Sequence, residues 1–193
     1  MQTPSHLLIG AAINTTIPQE QRCTSALLFG SILPDIPFTI LTAIYSIYYQ
    51  FWGTVASDVS TMEYLHFEVF FRDPIWIISH NFFHSLVIGL ILFAVGYFQR
   101  NTYWGKWLMW LMVGTLIHTV IDIVTHHSDG PLFLFPLSWT YRFESPVSYW
   151  ESEYYGQQFR VFEYLFDGVL IIYLARQWWQ KRSRPADKQT NLL

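Results

Sequence analysis

Five side chains able to bind a metal recur at four-residue steps inside two apolar stretches. His80 and His84 open the run 80–98, and His118, Asp122 and His126 lie within 107–127. A step of four residues along a helix climbs about 6 Å and turns about 40° past a full revolution, so each set lines one helix face as a short polar ladder. An ionisable group inside a membrane-spanning helix costs about 2.5 kcal/mol or more. A chain that keeps five of them on two stripes is expected to bind something with them. Histidine with aspartate is the ligand set of zinc, or of a similar divalent metal such as manganese.

The elements that carry these ladders belong to a membrane. The chain has 193 residues, 52% of them hydrophobic and 13% charged, against about 25% charged in an ordinary soluble domain. A net charge of -3 gives no sign of a nucleic-acid partner. The single Cys23 cannot form an internal disulfide or a thiolate metal site. The N-terminal segment 5–17 lacks a basic leader and a small-residue cleavage motif, so no cleavable signal peptide is expected.

Segments 82–98, 107–127 and 163–179 reach membrane-spanning character. A fourth, 24–48, is interrupted by LPDIP at 33–37, where two prolines should kink or break the helix. Breaks of this kind are tolerated where the freed backbone lines a polar cavity. Segment 5–17 would reach only about 20 Å as a helix, and is expected to be a half-span or to tuck against the bundle. The expected fold is all-α. It is a polytopic helical membrane bundle of about four spans plus a short N-terminal helix, forming one domain over 1–179, with a disordered cytoplasmic tail over 180–193.

Basic residues orient the bundle. They cluster at Arg22, at Arg100 and Lys106, and from Arg176 to Lys188, while the longer connections 49–79 and 128–162 are acidic. The positive-inside rule then places the C-terminus in the cytoplasm. Measured from those basic markers at about 1.5 Å per residue, His6, Asp35, His80, His84, His118 and Glu163 all fall about 18–30 Å up, in the outer half of the bundle.

Each candidate also has a plainer structural reading. Asp35, between two prolines, is either a helix cap or a site residue acting as ligand or catalytic base. Glu163 is either an interfacial carboxylate or a catalytic one. His126 and His127 point about 100° apart on a helix, and His126 fits the ladder better. His66 reads as a surface or interface residue. The connection after the ladder is crowded with Phe, Trp, Tyr and Pro and is expected to close over the site or lie at the membrane interface. Within it Arg142 suits a phosphate or carboxylate, and Trp139 and Trp150 are candidates to line the substrate.

The order TPSHLLIGAA at 3–12, GSILPDIP at 30–37, HNFFHSL at 80–86, HTVIDIVTHHSDG at 118–130 and PLSWTYRFESPVSYWE at 136–151 resembles the YdjM-type membrane-bound metal-dependent hydrolases. The likeness covers most of 3–165. PDIP stands where that family usually has a PDID-like motif, and HNFFHS lacks an arginine the family commonly carries there. The pattern is also similar, more distantly and by ligand order alone, to zinc-dependent phospholipase C. The resemblance implies His6, Asp35, His80, His84, His118 and Asp122 as metal ligands. It also implies hydrolysis assisted by two or three divalent ions on an amphiphilic substrate, such as a lipid phosphoester, in a bacterial inner membrane. Two other classes stand behind the hydrolase: a non-catalytic membrane scaffold or regulator with a structural metal, then a small transporter or proton relay. Metal-ligand coordination closed to water would favour the scaffold, and a continuous polar path would favour transport.

Overall fold

The structure is a computed structural model and describes residues 1–55 and 59–183; of the expected tail, 184–193 lie outside the described residues. It is all-α, with no strand among the described residues. Helix α1 (Thr3–Thr16) is followed by α2 (Thr24–Gly30) and α3 (Asp35–Phe51). Next come α4 (Thr61–Tyr64), a π turn (Leu65–Val69) and α5 (Phe70–Arg72), which together make one helical run. Then follow α6 (Pro74–Phe83), α7 (Leu86–Phe98), α8 (Tyr103–Thr125) and, after a long connection, α9 (Gly156–Arg182). Residues 180–182, expected in the tail, are therefore the last turn of α9.

Among the described residues, helix α8 alone is long and apolar enough to cross a membrane. Two bent pairs pass the same test when each counts as one span: α2 with α3, bent by 51°, and α6 with α7, bent by 45°. The first bend falls in LPDIP, as its prolines require. The second divides the expected 82–98 span at His84 and Ser85, where Ser85 Oγ accepts the Ile88 N–H at 3.0 Å and starts α7 afresh. Segment 163–179, expected as a span, lies within α9, which is not among the candidate spans. The charged residues that lower its hydropathy include Glu163 and Asp167, and these face α1: Ser5 Oγ lies 2.8 Å from a carboxylate oxygen of each.

The connection expected at 49–79 is largely helical. Ser60 accepts the Glu63 N–H at 3.2 Å and Asp73 accepts the Ile75 N–H at 2.7 Å, so two side-chain caps open new helices there. The resulting run buries Leu65, Val69 and Phe70 against Trp76 of α6, with Phe38 and Tyr45 of α3 alongside.

Small residues let the central helices meet backbone to backbone. A Cβ at Gly30 would stand 2.1 Å from the Leu111 carbonyl oxygen, and one at Gly114 would stand 2.3 Å from that of Leu27, so α2 and α8 touch where no side chain fits. Outside this core the helices present apolar side chains: Ile40, Ile44 and Ile47 on α3, Leu90 and Ile91 on α7, Val120 and Val124 on α8, and Leu165, Val169 and Ile172 on α9. Apolar surface on this scale suits contact with lipid.

Candidate metal centre

Both helix breaks come to the same place. The α2–α3 break leaves Asp35 in the first turn of α3, and the α6–α7 break leaves His84 at the end of α6. Unbroken α8 runs past them and supplies His118 and Asp122, one turn apart. One donor atom from each of Asp35, His84, His118 and Asp122 lies within 4.8 Å of all the others. His84, His118 and Asp122 are buried and Asp35 is half-buried.

The hydrogen bonds decide which atoms can serve as ligands. His118 Nδ1 lies 2.8 Å from the Ser31 carbonyl oxygen, and His84 Nδ1 lies 2.7 Å from that of His80. A carbonyl has no proton to give, so each Nδ1 carries the hydrogen and donates it. In the neutral ring, Nε2 is then left with a lone pair, the orientation a metal-bound histidine needs. His118 Nε2 is 2.9 Å from Asp122 Oδ2 and 3.4 Å from Asp35 Oδ1, and His84 Nε2 is 3.3 Å and 3.9 Å from the same two oxygens. His118 Nε2 has no hydrogen-bond partner among the described residues. Two lone pairs and two carboxylates aimed at one point repel each other until a cation lies among them. Two nitrogens and carboxylate oxygens suit zinc, with manganese a possible substitute.

The sequence also singled out His6, which sits behind this group. Its Nε2 is 2.9 Å from Asp122 Oδ1, the oxygen turned away from His84 and His118, and its ring stacks on His118 at 3.7 Å. His6 thus orients Asp122 and is not one of the four converging residues. The Met1 amino group lies 3.0 Å from the same Asp122 oxygen. Thr3 Oγ1 donates to Asp35 Oδ2.

A cavity of about 360 Å³ opens beside the centre, lined by Asp35, Asp122, His66, His80, His126 and Tyr149 among others. The His80 ring lies 4.3 Å from that of His84, and neither of its nitrogens has a partner among the described residues. His126 is no longer on the helix: α8 ends at Thr125, and His126 turns into extended backbone with Nδ1 donating to the Asp122 carbonyl at 3.0 Å. Burial pushes the Tyr149 phenol above its ordinary range, and the charge of Asp129 adds to this, so it faces the cavity as a neutral hydroxyl.

The connection after α8 seals the α6–α7 break. Asn81 Oδ1 accepts the Leu132 N–H at 2.6 Å, the Leu86 N–H donates to the Phe133 carbonyl at 2.9 Å, and Ser85 Oγ donates to the Phe135 carbonyl. The Leu86 N–H, freed by the break, is thereby paired. Trp150 donates Nε1–H to Asp129 at 3.1 Å near the cavity. Trp139 is half exposed and packs on Phe135. Arg142 donates to the Gly130 carbonyl, lies over the Phe70 and Phe71 rings, and lines a separate cavity with His127 and Glu144. Glu163 is buried at the start of α1, accepting the Gln2 N–H at 2.7 Å and facing the Ser5 hydroxyl, so it anchors the helix that carries His6.

His66, Asp129, Tyr149, Asn81 and Ser31 belong to this site and were not legible as such. Ser31 acts through its carbonyl, which any residue could supply. His66 stands in a stretch of mixed polarity with no second histidine or aspartate three or four residues away. The aspartate of HHSD at 126–129 was the one available signal for Asp129.

No curated protein and no solved structure matches the chain. The family model described as YdjM inner membrane protein matches residues 1–184. That span takes in every helix among the described residues and every residue of the centre, and the chain belongs to the YdjM inner membrane protein family.

Proposed function

We propose that the chain is a membrane-bound, metal-dependent hydrolase that acts on an amphiphilic phosphoester at the outer face of the membrane. The observation that carries this reading is the convergence of the His84 and His118 Nε2 lone pairs with the carboxylates of Asp35 and Asp122, the two of the four that line a cavity. A zinc or manganese ion held there would lower the pKa of a bound water toward neutrality and polarise a phosphoryl oxygen. The chain's own residues do the rest. Asp122 is held in place by His6. Asp35, the only half-buried member of the four, is placed to accept a proton from the attacking water. His80 borders the cavity with unpaired ring nitrogens and is a further ligand or a donor to the phosphoryl group. Tyr149 offers a hydroxyl to the same space.

Location supports the substrate class. The centre lies where two spans break, within a bundle whose outer faces are apolar, and the cavity is floored by Phe38 and Phe70. A headgroup can meet the metal while its chains stay in lipid. Trp150 and Trp139 sit on the connection that closes the site, and Arg142 places a positive charge in the neighbouring cavity, where it can attract an anion.

The test is hydrolysis by zinc- or manganese-loaded protein, purified in detergent and offered phospholipids, isoprenoid phosphates and simple phosphodiesters. Turnover of an amphiphilic ester by the wild-type chain, lost in His84→Ala/His118→Ala, is the expected result. No turnover above that variant for any ester contradicts the reading.

A further inference from the structure

His66 faces the same cavity as the metal centre, in a setting the hydrolytic step has not yet used. It lies in the π turn Leu65–Val69, whose flanking residues Leu65 and Val69 are buried. Single π turns inserted in helices concentrate at functional positions. The His66 ring is fixed between Phe70, stacked at 6.0 Å, and the edge of Trp150 at 5.0 Å. Its Nε2 lies 3.9 Å from Oδ2 of Asp129. Asp129 is buried, and the Trp150 indole N–H donates to the same oxygen at 3.1 Å. Its other oxygen, Oδ1, has no partner among the described residues. Two rings separate His66 from the metal ligands: Phe70 contacts His80 at 4.9 Å, and His80 contacts His84 at 4.3 Å.

We infer that His66, which lies beside Asp129, is the proton donor to the leaving group; this rests on the hydrolase reading above. The Asp129 carboxylate lies on the Nε2 side of the ring, which leaves Nδ1 as the nitrogen free to act as donor. In the step, the water oxygen bonds to phosphorus and its proton goes to Asp35. The bond from phosphorus to the alcohol oxygen breaks, and its electron pair stays on that oxygen. The Nδ1 proton of His66 converts it to the free alcohol. The side chain is 29% exposed, enough to recover a proton from solvent between turnovers. The Met1 amino group, His80, His126, Asp35, Asp122, Asp129 and Tyr149 are the other titratable groups on the cavity wall. Among the cavity histidines His66 alone comes within 4 Å of a carboxylate outside the four converging residues, and it keeps an exposed edge.

Two esters test the assignment in the metal-loaded full chain: dodecyl p-nitrophenyl phosphate, whose leaving group needs no proton, and dodecyl glyceryl phosphate, whose alkoxide does. General acid catalysis typically contributes about 100-fold or more. His66→Gln and Asp129→Asn are therefore expected to slow cleavage of the glyceryl ester by at least about 100-fold and the nitrophenyl ester by less than about fivefold, with metal content unchanged. Equal slowing of both esters overturns the proton-donor role and leaves the hydrolase reading standing. Loss of metal in His66→Gln also overturns it, making His66 a ligand. A wild-type chain that cleaves neither ester overturns both readings together.

Discussion

His118 Nδ1 donates to the carbonyl of Ser31 across 2.8 Å, joining the unbroken helix α8 to the end of α2 where that helix breaks. The bond sets the tautomer of His118 and so the lone pair turned toward Asp35 and Asp122. It forms because Gly30 and Gly114 let α2 and α8 approach within backbone contact.

Filling that contact should therefore damage the centre from a distance. Gly114→Ala places a Cβ 2.3 Å from the Leu27 carbonyl oxygen, an overpacking expected to cost about 1–3 kcal/mol. Thermal melting in detergent should show a lower Tm, and bound metal should fall although no ligand has changed. A variant with full metal content and unchanged Tm would show that the close approach does not support the site.

His6 is expected to act through Asp122. Removal of a residue that orients a ligand commonly weakens metal affinity by about 10–100-fold. His6→Ala should show a loss of that size in a zinc titration, and His6→Gln, which keeps a side-chain N–H, should recover most of it. If the glutamine variant binds as poorly as the alanine one, His6 is a direct ligand.

Asn81 joins α6 to the connection that seals the α6–α7 break, with Oδ1 accepting from Leu132 and its amide donating to the Ile77 carbonyl at 2.7 Å. Asn81→Ala leaves the buried Leu132 N–H unpaired, a loss of about 1–3 kcal/mol. Limited proteolysis should then cut within 128–150 faster than in the wild type. An unchanged cleavage rate would mean that the segment is held by its other contacts.

The C-terminus should be cytoplasmic and the 128–162 connection on the opposite face, since basic residues gather at Arg100, Lys106 and Arg176 to Lys188. Reporter fusions after residue 193 and near residue 145 read the two sides. A cytoplasmic signal from the second fusion would reverse the topology and move the site to the inner face.

Of the seven ligands expected from the sequence, four converge, and these four were legible because two independent regularities coincided. Four-residue spacing gave His84 with His80 and His118 with Asp122, and the proline pair flanking Asp35 announced a break where a membrane helix can open. The break at His84 and Ser85 carries no proline. It depends on hydrogen bonds to residues about fifty positions away in the connection after α8, which no local pattern reveals. The helical character of 61–72 was hidden by its mixed polarity, with only Ser60 and Asp73 as cap signals. Helix α9 contains the expected 163–179 segment, but that Glu163 and Asp167 within it turn to Ser5 of α1 was not legible from their spacing. Roles that depend on backbone carbonyls, as at Ser31, leave no trace in residue type.

The metal content of the detergent-purified chain, measured by elemental analysis after removal of loosely bound ions, tests the central claim most directly. The wild type should carry at least one zinc or manganese per chain. His118→Ala/Asp122→Ala, which removes two of the four converging residues, should carry almost none. A wild-type chain without divalent metal, or a double variant with the wild-type stoichiometry, would contradict the assignment of this centre.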